Sequence, residues 1–198
     1  GIGGTIGTRA KAIISDCQSR QDVLLRAIEL CGPNPIDAKS LYVVSHCYVW
    51  LGAKYRPQAI EYLEKYIAAG ASWSGTPRDF IDMGGYSVDQ LSSNRASVYH
   101  YLGKAYEGEY MFEKAENAYR EAESLCPDFA TYSVCVANTF VKRNDLERAK
   151  AYLNSKKQTI YYKNNVDDYK TLLNAALNDI NSKIEKGYVY KPRGKSRK

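Results

Sequence analysis

The sequence is short of most residues and motifs that announce a chemistry. No stretch approaches 18 apolar residues, so nothing in it is built to span a membrane as a helix. Histidine occurs only twice, at His46 and His100, and neither lies in an HExxH motif, so a histidine-held metal has little to work with. There is no GxSxG nucleophile elbow and no glycine-rich loop followed by lysine and a hydroxyl. The opening GIGGTIG only imitates a phosphate loop, because neither a preceding strand nor that pair follows from its surroundings. The cysteines are five, an odd number, at Cys17, Cys31, Cys47, Cys126 and Cys135, and no two make a CxxC pair. They read as small apolar residues in a reducing compartment, and the expectation is a cytoplasmic protein without metal or cofactor. That opening also lacks a methionine and reads as a trimmed start, so the N-terminus itself says nothing about a signal segment.

The charge is uneven. The 198 residues carry a net +6, but YVYKPRGKSRK at the end holds Lys191, Arg193, Lys195, Arg197 and Lys198 with no acid. About +1 is left for residues 1–187, too little for a body-wide phosphate-binding field. Residues 188–198 are expected to be a solvated, disordered tail, with a nucleic-acid or membrane anchor as the sharper alternative.

What is abundant is tyrosine, 18 in all, and a period. The segments QAIEYLEKYI, KAENAYREAE and RAKAYLNSKK align on Ala59, Ala115 and Ala149, each followed four positions later by a bulky residue, Leu63, Tyr119 or Leu153. Twelve positions before each alanine stands a small residue: Cys47, Gly103 or Ala137. Nine before it stands a large aromatic: Trp50, Tyr106 or Phe140. Ala115 and Ala149 are 34 residues apart. Small residues at fixed spacing let two antiparallel helices approach closely, and the large ones fill the space between neighbouring pairs. The turn at Glu109–Tyr110–Met111 separates such helices, and Pro127 stops the second.

This pattern resembles the tetratricopeptide repeat, a helical hairpin of 34 residues that must stack on its neighbours to bury its apolar face. The repeat over 96–129 matches best, with Tyr99, Leu102, Gly103, Tyr106, Ala115, Tyr119, Ala122 and Pro127 at the signature positions. The repeat over 130–163 keeps Val136, Ala137, Phe140, Ala149 and Leu153 without the closing proline, and that over 40–70 has His46 where the family has a leucine. The resemblance implies an all-α fold, a right-handed superhelical solenoid of about three hairpins, forming one domain over 1–187.

Around these repeats, 8–31 reads as a degenerate N-terminal hairpin. Residues 166–186 read as a capping helix with Val166, Tyr169, Leu172, Leu173, Ala176, Leu177, Ile180 and Ile184 on one stripe, started by Asp167 and Asp168 and stopped by Gly187. A membrane-surface helix is its alternative, opposed by a polar face of mixed charge without tryptophan. Residues 71–95 are an insertion: Ala59 to Ala115 spans 56 positions instead of 34. Its Trp73, Phe80, Ile81, Met83 and Tyr86 either patch the gap between repeats or hold a partner.

By resemblance, the first helix of each repeat lines a concave groove that takes peptides. The register then nominates Val44, Tyr48 and Leu51, then His100, Lys104 and Glu107, then Thr131, Val134, Asn138 and Val141. The family's carboxylate clamp for chaperone tails is absent, since its positions hold Val44, Tyr48, Tyr101, Thr131 and Cys135. The expected partner is a protein or peptide held mainly by apolar and aromatic contact, with Tyr48 and Tyr101 as possible anchors, Lys104 and Asn138 as polar hooks, and no catalysis. Rival readings are a peptide-sensing domain of a larger regulator and a nucleic-acid-associated protein using its tail. The glutamates at 109, 113, 116, 121 and 123 are expected on the outer faces as solubilising charge, and His46 is expected in the core.

Overall fold

The structure is a computed structural model that describes residues 19–70 and 88–192. Every regular element among them is helical, so the all-α expectation holds. The chain divides into two compact units, 1–76 and 77–198, and the division falls inside the 71–95 insertion. Most of that insertion, the basic end from 193 onward and the first half of the N-terminal hairpin lie outside the described residues.

The first unit contains α1 (Arg20–Leu30), α2 (Ala38–Leu51), a single 3-10 turn (Ala53–Tyr55) and α3 (Arg56–Gly70). Ser19 and Asp37 cap α1 and α2, accepting from the amides of Asp22 and Ser40. The core gathers Leu24 from α1, Leu41, Val44 and Cys47 from α2, and Ala59, Leu63 and Tyr66 from α3. His46 joins it as expected. Its Nδ1 donates to the Tyr42 carbonyl at 2.8 Å, and burial depresses its pKa, so the ring is neutral at physiological pH. Trp50 does not pack as the register asks: it is 54% exposed. The reason is the turn. Gly52 (φ 86°, ψ −160°) breaks α2 and the 3-10 turn follows, so this hairpin closes differently from those downstream. That backbone region is essentially reserved for glycine. Gly52→Ala is therefore expected to cost about 1–2 kcal/mol in urea denaturation, although open space would receive the methyl group.

The second unit runs α4 (Val88–Gly108), α5 (Phe112–Leu125), α6 (Ala130–Lys142), α7 (Leu146–Lys156), the short α8 (Ile160–Lys163), a 3-10 turn (Val166–Asp168) and α9 (Tyr169–Glu185). Each helix from α4 to α7 packs on the next, and α9 covers α6 and α7. The period read from side chains recurs in the backbone. Tyr110 (φ 62°) and Asn144 (φ 63°) are left-handed residues 34 positions apart, one at each helix-to-helix turn. Around Tyr110 the amides of Tyr110 and Met111 donate to the carbonyls of Glu107 and Tyr106; around Asn144 those of Asn144 and Asp145 donate to Val141 and Phe140. These are paired Schellman closures in register.

The packing follows the small-and-large rule. Ala115, Tyr119, Ala137, Phe140, Ala149 and Leu153 are fully buried, and Tyr106 nearly so. Two expectations fail at α9. Leu172 is 43% exposed, because the buried stripe narrows to Tyr169, Leu173, Leu177 and Ile180. Asp167 and Asp168 sit at positive φ and do not cap it; instead the Asn165 side chain accepts from the Lys170 amide at 2.9 Å.

Glu116 and Glu123 are not the solubilising charges expected of them. Glu116 on α5 is 8% exposed and pairs with Arg120 at 2.9 Å, with Arg143 at the end of α6, and with Arg148 on α7 at 3.9 Å. All three guanidiniums also lie over the Phe140 ring. Glu123 accepts from Ser133 Oγ on α6, and from Tyr152 Oη and Lys156 Nζ on α7. Both glutamates link one hairpin to the next, whereas Glu113 and Glu121 are exposed.

Candidate functional site

The nominated positions divide between the units and do not behave alike. In the first unit Val44 is 1% exposed and belongs to the core, which removes it from any binding surface. Tyr48 is half-buried, stacked on Tyr55 and packed 5.5 Å from Tyr62 between centroids, so its ring ties α2 to the turn and to α3. Leu51 is half-buried. Among its described side chains, α2 exposes Tyr42, Val43 and Trp50, which the register did not nominate.

In the second unit the nominated residues lie on α4 and α6, and only some of them reach the surface. Repeat equivalence pairs His100 with Val134, Lys104 with Asn138, and Glu107 with Val141, each 34 residues apart. Lys104 and Asn138 are exposed; His100, Thr131 and Val134 are half-buried; Val141 is 6% exposed and packs inward. Glu107 is not a free hook. Its side chain is 9% exposed and its carboxylate meets Lys142 of α6 at 3.3 Å, a pairing that no local pattern revealed.

Beneath this face lies a cluster of titratable groups. His100 Nε2 is 3.7 Å from Cys135 Sγ, and the imidazole packs near the rings of Tyr101, Tyr119 and Tyr132. Burial, assisted by the Lys104 charge, lowers the His100 pKa, while Glu107 partly opposes them. Burial pushes the Cys135 thiol up to about 11, against the pull of Lys104 and Lys142. The Tyr119 phenol is held far above its ordinary value by burial and then by the Glu107 charge. At neutral pH the imidazole, thiol and phenol are thus uncharged. A thiol held protonated beside a neutral imidazole is not primed as a nucleophile.

Among the described residues no group of histidines, cysteines and carboxylates is arranged to hold a metal ion, and no helix is long and apolar enough to cross a membrane.

The fold and this face together define a helical-repeat protein. No family model and no curated protein matches the sequence. Among solved structures, the chain is similar in fold to a crystal structure of MamA, at a TM-score of 0.50 and 13% identity, over 86% of this chain and 98% of the other. A second crystal structure of the MamA protein aligns at TM-score 0.50 and 14% identity, over 86% and 88%. At this identity the likeness is one of fold.

Proposed function

We propose that the chain is a protein-interaction scaffold of the tetratricopeptide kind, holding an extended or helical peptide against the α4–α6 face. The observation that carries this is the repeated exposure of a polar side chain, Lys104 and then Asn138, at equivalent positions of consecutive first helices, with half-buried His100, Thr131 and Val134 around them. Such a surface offers hydrogen-bond donors above an apolar and aromatic bed, the composition of a protein-binding site. The fold shared with MamA supports a scaffold at that general level. No catalytic step belongs to this reading. The free thiols of Cys31, Cys47, Cys126 and Cys135 favour a reducing compartment such as the cytoplasm.

Lys104→Ala combined with Asn138→Ala is expected to weaken the recovered partner at least tenfold in affinity capture from the native source, with an unchanged far-UV CD spectrum. Partners recovered unaltered by the double variant would remove this face as the site.

A further inference from the structure

The end of the described chain is held rather than free. Helix α9 closes on Gly187 (φ 60°) in the same Schellman geometry as the repeat turns, with the Tyr188 amide donating to Lys183 at 2.9 Å. The chain then returns to the α6–α7 turn, where Asn144 grips Tyr190 by its backbone. The Tyr190 amide donates to Asn144 Oδ1 at 2.6 Å, and Asn144 Nδ2 donates to the Tyr190 carbonyl at 3.3 Å. The Tyr190 ring meets Phe112, at the start of α5, edge to face at 5.9 Å between centroids. Tyr188 and Val189 on the same stretch remain exposed.

This grip is not dictated by the fold. The equivalent turn one repeat earlier has Tyr110 at the left-handed position, and the single oxygen of a phenol does not offer a separate donor atom and acceptor atom side by side for the N–H and C=O of one residue. Asparagine tolerates that backbone region and supplies one donor and one acceptor in a plane, which matches the amide and carbonyl of an extended residue. Recognition through the backbone leaves side-chain choice to Phe112, which asks for an aromatic ring.

We propose that Asn144 and Phe112 form a second peptide seat, distinct from the α4–α6 face, which takes an extended strand carrying an aromatic residue and is filled by the chain's own residues 188–192. The stretch 188–192 is then a held and releasable element, and release is governed by competition for the seat. An intramolecular occupant is present at an effective concentration of about millimolar, so a free strand competes poorly until the cis occupant is weakened.

The test uses the full-length chain and a synthetic peptide of residues 187–198. Tyr190→Ala weakens the cis occupant, and that variant is expected to bind the peptide at least ten times more tightly than the unaltered chain does, by calorimetry or NMR titration. Adding Asn144→Gly, which preserves the left-handed turn while removing the grip, abolishes the gain. In the otherwise unaltered chain, Asn144→Gly speeds hydrogen exchange at the Tyr190 amide at least tenfold. Equal peptide binding with and without Asn144, or an absence of binding together with unchanged Tyr190 exchange, overturns the proposal. Loss of the α4–α6 partner with this seat intact bears only on the first site.

Discussion

Replacing Gly103 by valine is expected to cost about 3–4 kcal/mol and to lower the melting temperature by roughly 6–16 °C, a large loss from a single change on the α4–α5 contact. The cause is distance. A Cβ at Gly103 would lie 2.4 Å from Cε1, 2.6 Å from Cδ1 and 2.8 Å from Cζ of Tyr119. Carbon atoms rest at about 3.5–4.0 Å, so ring and helix must separate by about 1 Å. Tyr119 cannot yield, being fully buried against the His100 ring. Alanine at the same place gains about 1 kcal/mol of helix propensity but loses about 1–3 kcal/mol to overpacking, leaving a net destabilisation of about 0–2 kcal/mol. Valine adds two methyl groups without room for either and forfeits most of the propensity gain.

Relief at the partner is the diagnostic. Gly103→Ala in a Tyr119→Leu background should cost at least 1 kcal/mol less than in the native background, measured by urea denaturation as a double-mutant cycle. Gly103→Ala more stable than the native chain by the full propensity gain would refute the close approach. Function is tied to the same contact: Lys104 is the next residue and His100 lies one turn back, so displacing α4 disturbs the candidate face as well as the core.

Why this part was legible in the sequence, and other parts were not, is a matter of range. The spacing of Gly103, Tyr106, Ala115 and Tyr119 reports contacts between adjacent helices joined by a three-residue turn, and a hairpin can place those residues in only one way. The pattern therefore located α4 to α7 and their core, and the backbone closures at Tyr110 and Asn144 repeat it. Polar partnerships obey no such local rule. Glu116 meets Arg143 from 27 residues away, Glu107 meets Lys142, and Asn144 meets Tyr190 from 46 away. Nothing in the surroundings of these residues distinguishes them from solvated charge. At the first hairpin the same register failed for Val44 and Trp50, because the turn at Gly52 breaks the equivalence that places residues by analogy. At the candidate face the positions of Lys104 and Asn138 followed from the register. The burial of Glu107 and Val141 did not, since it depends on how closely α6 lies against α4.

Glu123 turns one of these unreadable partnerships into a pH dependence. Its side chain is 12% exposed and takes hydrogen bonds from three groups on two other helices: Ser133 at 2.5 Å, Tyr152 at 2.5 Å and Lys156 at 2.7 Å. Burial alone would raise its pKa, but Lys156, then Ser133 and Tyr152, outweigh it, and the carboxyl is held below the ordinary carboxylate value. Its folded pKa thus lies beneath the unfolded one of about 4.3, so near that pH the unfolded chain binds the proton more readily. The stabilisation is fully present above the unfolded value and disappears as pH falls through the folded one. Glu123→Gln keeps the shape, removes the charge facing Lys156 and sets an amide group against two hydroxyl donors. The expected loss at pH 7 is about 2–4 kcal/mol, from breaking a buried, hydrogen-bonded ion pair whose lysine remains partly solvated. The gap between native and variant stability, from urea denaturation at pH 7, 5, 4 and 3, should stay constant down to about pH 5 and then narrow, because the native chain alone pays for protonating residue 123. A gap that keeps its full size at pH 3 would mean that Glu123 holds the hairpins together by shape, with its charge contributing nothing.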